Sequence, residues 1–241
     1  MKTVGHHTLT WSLLLSMFGS MATGMEPLIS RQTTVWRCLD RPRLFAGAWK
    51  KGLWRRREFD DSSWYQGTGV FGYGDADVTT VLSYGDNPQQ KPVSALFRTR
   101  FRLPNPSNAV VLGGRLCCDD GAVVYVNGTE VFRFNLPRGE VRHDTFALRS
   151  VGPDLKSERN WRPFVVPLSL VNDGENLMAV SAHQATSTSG DLAMSLELYA
   201  LDDKEAADFQ EEVKTYAADS GTGSSARIQI SPVSRLKFAT D

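Results

Sequence analysis

Three groups of residues in this chain combine side chains that can do chemistry. Asp119-Asp120-Gly121 places two adjacent carboxylates between two β-rich runs. Such oxygens can hold Ca²⁺. The same residues also make a turn, because aspartate caps its own backbone and glycine accepts positive φ. Asp75, Asp77 and Asp86 share a Gly/Asp-rich loop with Tyr73 and Tyr84. Aromatic faces beside carboxylates suit a sugar, one stacking on the ring and the other reading its hydroxyls. His183-Gln184 with Asp191 forms a His–Asp set that can serve as a general base. No nucleophile elbow of the Gly-x-Ser-x-Gly type accompanies it, so these three are read as ligand-binding rather than catalytic. The candidate ligand set is Tyr73, Asp75, Asp119, Asp120, His183, Gln184 and Asp191, with Asp119 and Asp120 as the place for a calcium ion.

Two further patterns carry charge or modification. Lys50-Lys51 and Arg55-Arg56-Arg57 form a basic run, and Arg98, Arg100 and Arg102 form a stripe along one strand face. Arginines of this kind bind sulfate or phosphate, but they also serve as plain solvated surface, and Glu58, Asp60 and Asp61 follow the first run directly. Asn127-Gly128-Thr129 fits a glycosylation sequon, while the same Asn-Gly pair is a hairpin turn signal. Asn105-Pro106-Ser107 is excluded as a sequon by its proline.

Composition narrows the function classes. The chain has 241 residues, with 27 Lys plus Arg against 27 Asp plus Glu. No global charge draws it to nucleic acid or to an acidic membrane. The metal-rich motifs of a phosphoesterase and the glycine patterns of nucleotide sites are absent from the sequence. The reading is therefore a protein that is not itself an enzyme. Three cysteines, Cys38, Cys117 and Cys118, leave two options open. Cys38 bridges to one of the vicinal pair, or all three are buried free thiols. Spaced Cys or His pairs that would suggest zinc are absent.

The elements that position these residues are mostly strands. Residues 1–24 read as a secretory signal, with Lys2, a short apolar run and the small-residue site Ala22-Thr23-Gly24. That run is short for a spanning helix, so no membrane span is expected after cleavage, and the localisation is extracellular. Between 35 and 201, alternation of the type Ala95, Phe97, Thr99, Phe101, Leu103 recurs, and Asn127-Gly128 predicts a two-residue hairpin pairing Val126 with Thr129 and Val124 with Val131. The fold class is all-β, an antiparallel β-sandwich of jelly-roll type. Its expected core includes Phe97, Phe101, Leu116, Val124, Met178, Val180, Leu196 and Leu198. A short helix is expected over 202–219, with Phe209, Val213 and Tyr216 on one face, and 220–241 reads as a flexible linker and tail.

The series Phe59-Asp60-Asp61-Ser62-Ser63-Trp64, Gly69-Val70-Phe71-Gly72-Tyr73-Gly74-Asp75, Leu96 to Phe101, Asp119 to Gly128 and Gly174 to Val180 resembles a galactose-binding-like jelly-roll module. Such modules accompany calcineurin-like or purple-acid-phosphatase-like enzymes, and the middle segment is similar to the sugar-binding domain of β-galactosidase-type enzymes. The resemblance implies a secreted, non-catalytic module that binds carbohydrate. The alternative it implies is a docking domain of a larger extracellular, phosphatase-like hydrolase, with the adjacent enzyme domain as partner.

Overall fold

A computed structural model describes residues 26–40, 47, 49–104, 107–151 and 160–219. The expected signal segment 1–24 and tail 220–241 lie outside the described residues. Among the described residues, eleven strands run in chain order as β1 (Trp36–Leu39), β2 (Tyr65–Gly67), β3 (Phe71–Tyr73), β4 (Thr80–Val81), β5 (Ser94–Arg102), β6 (Val111–Asp119), β7 (Gly121–Val126), β8 (Thr129–Phe134), β9 (Arg162–Val166), β10 (Glu175–His183) and β11 (Leu192–Leu201). They form a sandwich of two sheets, ordered β2-β1-β5-β10-β7-β8 and β4-β3-β11-β6-β9. Pairings are antiparallel except the short parallel contact of β3 with β4.

Alternation explains the layers. Phe97 and Phe101 of β5, Met178 and Val180 of β10, and Leu116, Leu196 and Leu198 of the other sheet point into one apolar cluster. All eight residues expected in the core lie there. Phe132 and Phe164 stack between the sheets, with centroids 5.1 Å apart. Gly114 makes room for them, since a Cβ at that position would overlap the Phe164 ring.

The six-stranded sheet is also covered on its outer face. A second cluster joins Leu39, Trp54, Trp64, Leu96, Val123, Tyr125, Leu177 and Ala179. Alternation in β5 predicts a strand exposed on one side, but Leu96 and Arg98 are fully buried and exposure begins at Arg100. The cause is the 3-10 segment Lys50–Arg55 and its neighbours, which fold over that face. Arg98 ties them down, donating to the Asp61 carboxylate (2.6 Å) and to the carbonyls of Trp54, Arg56 and Phe59. The arginine stripe is thus paired. Arg98 meets Asp61, and Arg100 and Arg102 meet Glu175 at 3.1 and 3.8 Å.

The hairpin turn forms with φ of 50° at Asn127 and 85° at Gly128. Val126 pairs with Thr129 as expected, but a bulge between Val124 and Tyr125 then shifts the register, so Val124 faces Phe132 and not Val131. The extra residue carries Phe132 inward to its stack with Phe164, which a regular ladder would turn outward.

The helix α1 (Asp203–Asp219) starts on a capping box. Asp202 Oδ1 accepts from the Lys204 and Glu205 amides, and Glu205 returns to the Asp202 amide. Phe209 and Val213 bury against the five-stranded sheet, and Arg115 holds Glu212 in a two-bond pair at 2.9 and 2.7 Å. All three cysteines are buried, and none forms a disulfide among the described residues. Burial pushes the Cys118 thiol up to about 12, so it stays neutral and packs as a small apolar group.

Candidate functional site

One end of the sandwich gathers the ends of β3, β6, β10 and β11. Register places Tyr73 beside Leu192, Asp119 beside Ala193, and His183 beside Gly121. The strand pleat then divides the candidates between two faces. Gln184 continues the inward row of Met178, Val180 and Ala182, whereas His183 continues the outward row.

Tyr73 and Gln184 meet between the sheets, the Gln184 amide donating to the Tyr73 hydroxyl. Burial first, with the Asp191 and Asp119 carboxylates adding, pushes the Tyr73 phenol up to about 12. Gln184 is only 1% exposed, and its Oε1 accepts no hydrogen bond among the described residues. An unpaired buried amide oxygen is costly and unusual. Outside this pair, the Tyr84 ring lies 4.9 Å from the Tyr73 ring and is 39% exposed. The Lys91 ammonium stands 5.0 Å from both ring centroids and donates to the Ser189 carbonyl. Asp191 accepts from the Ser189 hydroxyl at 3.3 Å, and Asp75 is half-buried in the loop after Tyr73. This rim joins Tyr73, Tyr84, Lys91, Gln184, Ser189 and Asp191. Lys91 and Ser189 belong to no sequence motif, because only the docking of two loops brings them together.

Asp120 does other work. Its Oδ1 accepts from the Val151 amide and its Oδ2 from the Ala185 amide, both at 2.7 Å. Both carboxylate oxygens thereby fasten neighbouring loops. The peptide joining Asp119 to Asp120 is cis. Among the described residues, no group of three or more His, Cys, Asp or Glu side chains is placed to hold a metal ion.

His183 is fully buried on the outer face, 6.0 Å from the Trp49 ring. Its Nδ1 meets the Thr145 carbonyl at 2.8 Å and its Nε2 the Ser181 hydroxyl at 3.0 Å. Desolvation lowers its pKa to about 4, so the ring is neutral at physiological pH. Both nitrogens are committed, which removes His183 from the ligand set and from general-base chemistry with Asp191. The correction follows from the pleat: adjacent strand residues face opposite ways.

Asn127 is engaged within the fold as well. Its Nδ2, the atom a glycan would occupy, donates to Leu170 O and Asn176 Oδ1, both at 2.8 Å. Its Oδ1 accepts from the Leu177 amide at 2.9 Å. Asn127→Ala is expected to cost about 2–3 kcal/mol in urea denaturation, from these lost bonds and unpaired groups. A change under 0.5 kcal/mol would remove this structural role.

No family model and no curated protein matches the chain. Among solved structures it is similar to a Bacteroides uniformis β-glucuronidase, with 16% identity over 72% of this chain and 17% of that one, at a TM-score of 0.45. A β-glucuronidase from an uncultured Clostridium sp. shares 14% identity over 70% of this chain and 28% of that one, TM-score 0.41. A Ruminococcus gnavus β-glucuronidase shares 16% over 62% and 20%, TM-score 0.37. The chain therefore spans less than a third of each of these enzymes. The likeness is too distant to bear on substrate or activity, and nothing in it supports a calcineurin-like or phosphatase-like relation.

Proposed function

We propose that this chain is an extracellular, non-catalytic recognition module that binds a neutral glycan at the Tyr73–Tyr84–Lys91–Gln184–Asp191 rim. The observation that carries this reading is the exposed Tyr84 ring, packed on Tyr73 at 4.9 Å with the Lys91 ammonium 5.0 Å from both rings. Tyr84 offers an exposed face to a pyranose ring and Asp191 an acceptor to a sugar hydroxyl. So few contacts imply weak affinity. Asp120 is engaged through both oxygens, so binding is proposed to need no calcium.

The test is a glycan array on the full chain, with and without EDTA, followed by titration of Tyr84→Ala and Asp191→Asn. A neutral glycan class should bind equally in both buffers, and each variant should weaken it about tenfold, the size expected for one stacking or charge-assisted contact. If the folded protein binds no glycan, the rim reading fails and a docking domain of a larger hydrolase replaces it.

A further inference from the structure

The basic run noted in the sequence lies on the outer face of the six-stranded sheet and takes no part in the rim. Lys50, Lys51, Arg55, Arg56 and Arg57 put five cations into eight residues. Their backbone is held in a fixed shape. Lys51 and Gly52 have φ of 52° and 64°, a left-handed turn that a non-glycine residue enters at a cost. The absence of a side chain at Gly52 leaves space for the Arg55 guanidinium, which a Cβ there would overlap. That guanidinium lies over the buried Tyr125 ring at 4.6 Å from its centroid. Tyr125 in turn packs edge-on to the fully buried Trp54 at 5.6 Å. From below, Arg98 grips the carbonyls of Trp54 and Arg56.

Most carboxylates near this platform are already engaged. Asp61 pairs with Arg98, Glu130 with Arg133, and Asp60 accepts from the Ser62 amide. Glu58 stays exposed. Among the described residues, no ion pair joins any of the five cations to a carboxylate. A stacked arginine flanked by free cations is pre-organised for tetrahedral oxyanions, which its planar fork meets with two bonds.

The surroundings select among polyanions. Among the described residues, the exposed large apolar ones are Val35, Val81, Tyr84, Phe146 and Leu148. None lies on this segment, so it offers no wedge to a bilayer and no exposed ring for a nucleobase to stack on. We propose that Lys50–Arg57 binds the sulfate groups of a sulfated polysaccharide, at a surface separate from the rim.

The test titrates the full chain with a heparin oligosaccharide, with the same oligosaccharide after desulfation, with phosphatidylcholine vesicles containing phosphatidylserine, and with a single-stranded oligonucleotide. The sulfated sugar should bind most tightly, and its affinity should fall linearly on a log–log plot against salt, since counterions are released. The desulfated sugar should not bind. Lys50→Gln, Arg56→Gln and Arg57→Gln combined replace exposed side chains and should weaken binding at least about tenfold, with the thermal melt unchanged. Arg100→Gln with Arg102→Gln, which removes cations already paired with Glu175, should leave binding as it was, and so should Tyr84→Ala. Equal binding of the desulfated sugar, tighter binding of vesicle or oligonucleotide, or a triple variant indistinguishable from wild type would each overturn the proposal. Because the salt dependence of the unaltered chain is itself a readout, the test does not depend on the variants folding.

Discussion

Replacing Arg98 with methionine is expected to remove about 3–5 kcal/mol of folding stability, the cost of breaking one side of a buried ion pair. Arg98 is 0% exposed, although it sits in the middle of a strand whose sequence alternates with charge. Methionine fills much of its volume but donates nothing. Asp61 would keep a buried carboxylate with Arg100 left at 3.9 Å as its cation, and the carbonyls of Trp54, Arg56 and Phe59 would lose their donor. Urea denaturation measures the loss. Adding Asp61→Leu to Arg98→Met should recover part of it, because the double variant no longer buries the Asp61 charge. A loss under 1 kcal/mol in the single variant would show that water reaches Asp61 and that the pair is not sealed. The same variant should also lose affinity for sulfated sugar, since Arg98 is what fixes the 3-10 segment against the sheet.

Acid should destabilise the protein through His183, by up to about 3 kcal/mol between pH 6.5 and pH 4. The folded ring titrates near 4, lowered from 6.5 chiefly by burial. In that window the unfolded chain binds a proton that the folded chain refuses, so stability falls as the pH falls. The full stabilisation is present above 6.5 and is gone once the pH has passed below 4. His183→Gln tests this directly. A glutamine can donate to the Thr145 carbonyl and accept from the Ser181 hydroxyl, the two partners of the imidazole, yet it does not titrate. Denaturation midpoints of the variant should be flatter than wild type over this range. An unchanged slope would mean that other groups carry the acid sensitivity.

Much of the architecture is legible in the order of residues alone. Alternating runs such as those of β5 and β11, punctuated by glycine and asparagine turns, specify a two-sheet sandwich, because one apolar face per strand must be buried against another. The eight expected core positions follow from that alternation. Asn127-Gly128 identifies its hairpin since few residue pairs tolerate two successive positive φ angles. The helix announces itself through the spacing of Phe209 and Val213, which bury on one face. These signals are local, and local signals survive in one dimension.

What the tertiary structure alone decided is which polar residues are free. Asp120, His183 and Asn127 resemble binding or modification residues in sequence, yet each bonds backbone brought from 31 to 65 residues away. Lys91 and Ser189 carry no motif, yet loop docking sets them at the rim beside Tyr73 and Tyr84. Arg98 reads as a solvated member of a stripe, and becomes the buried anchor of an entire outer layer. Side-chain type states what a residue is able to bond. Whether it remains unbonded depends on distant backbone that no local spacing encodes, and an unsatisfied buried group costs enough to make the fold bring that backbone to it.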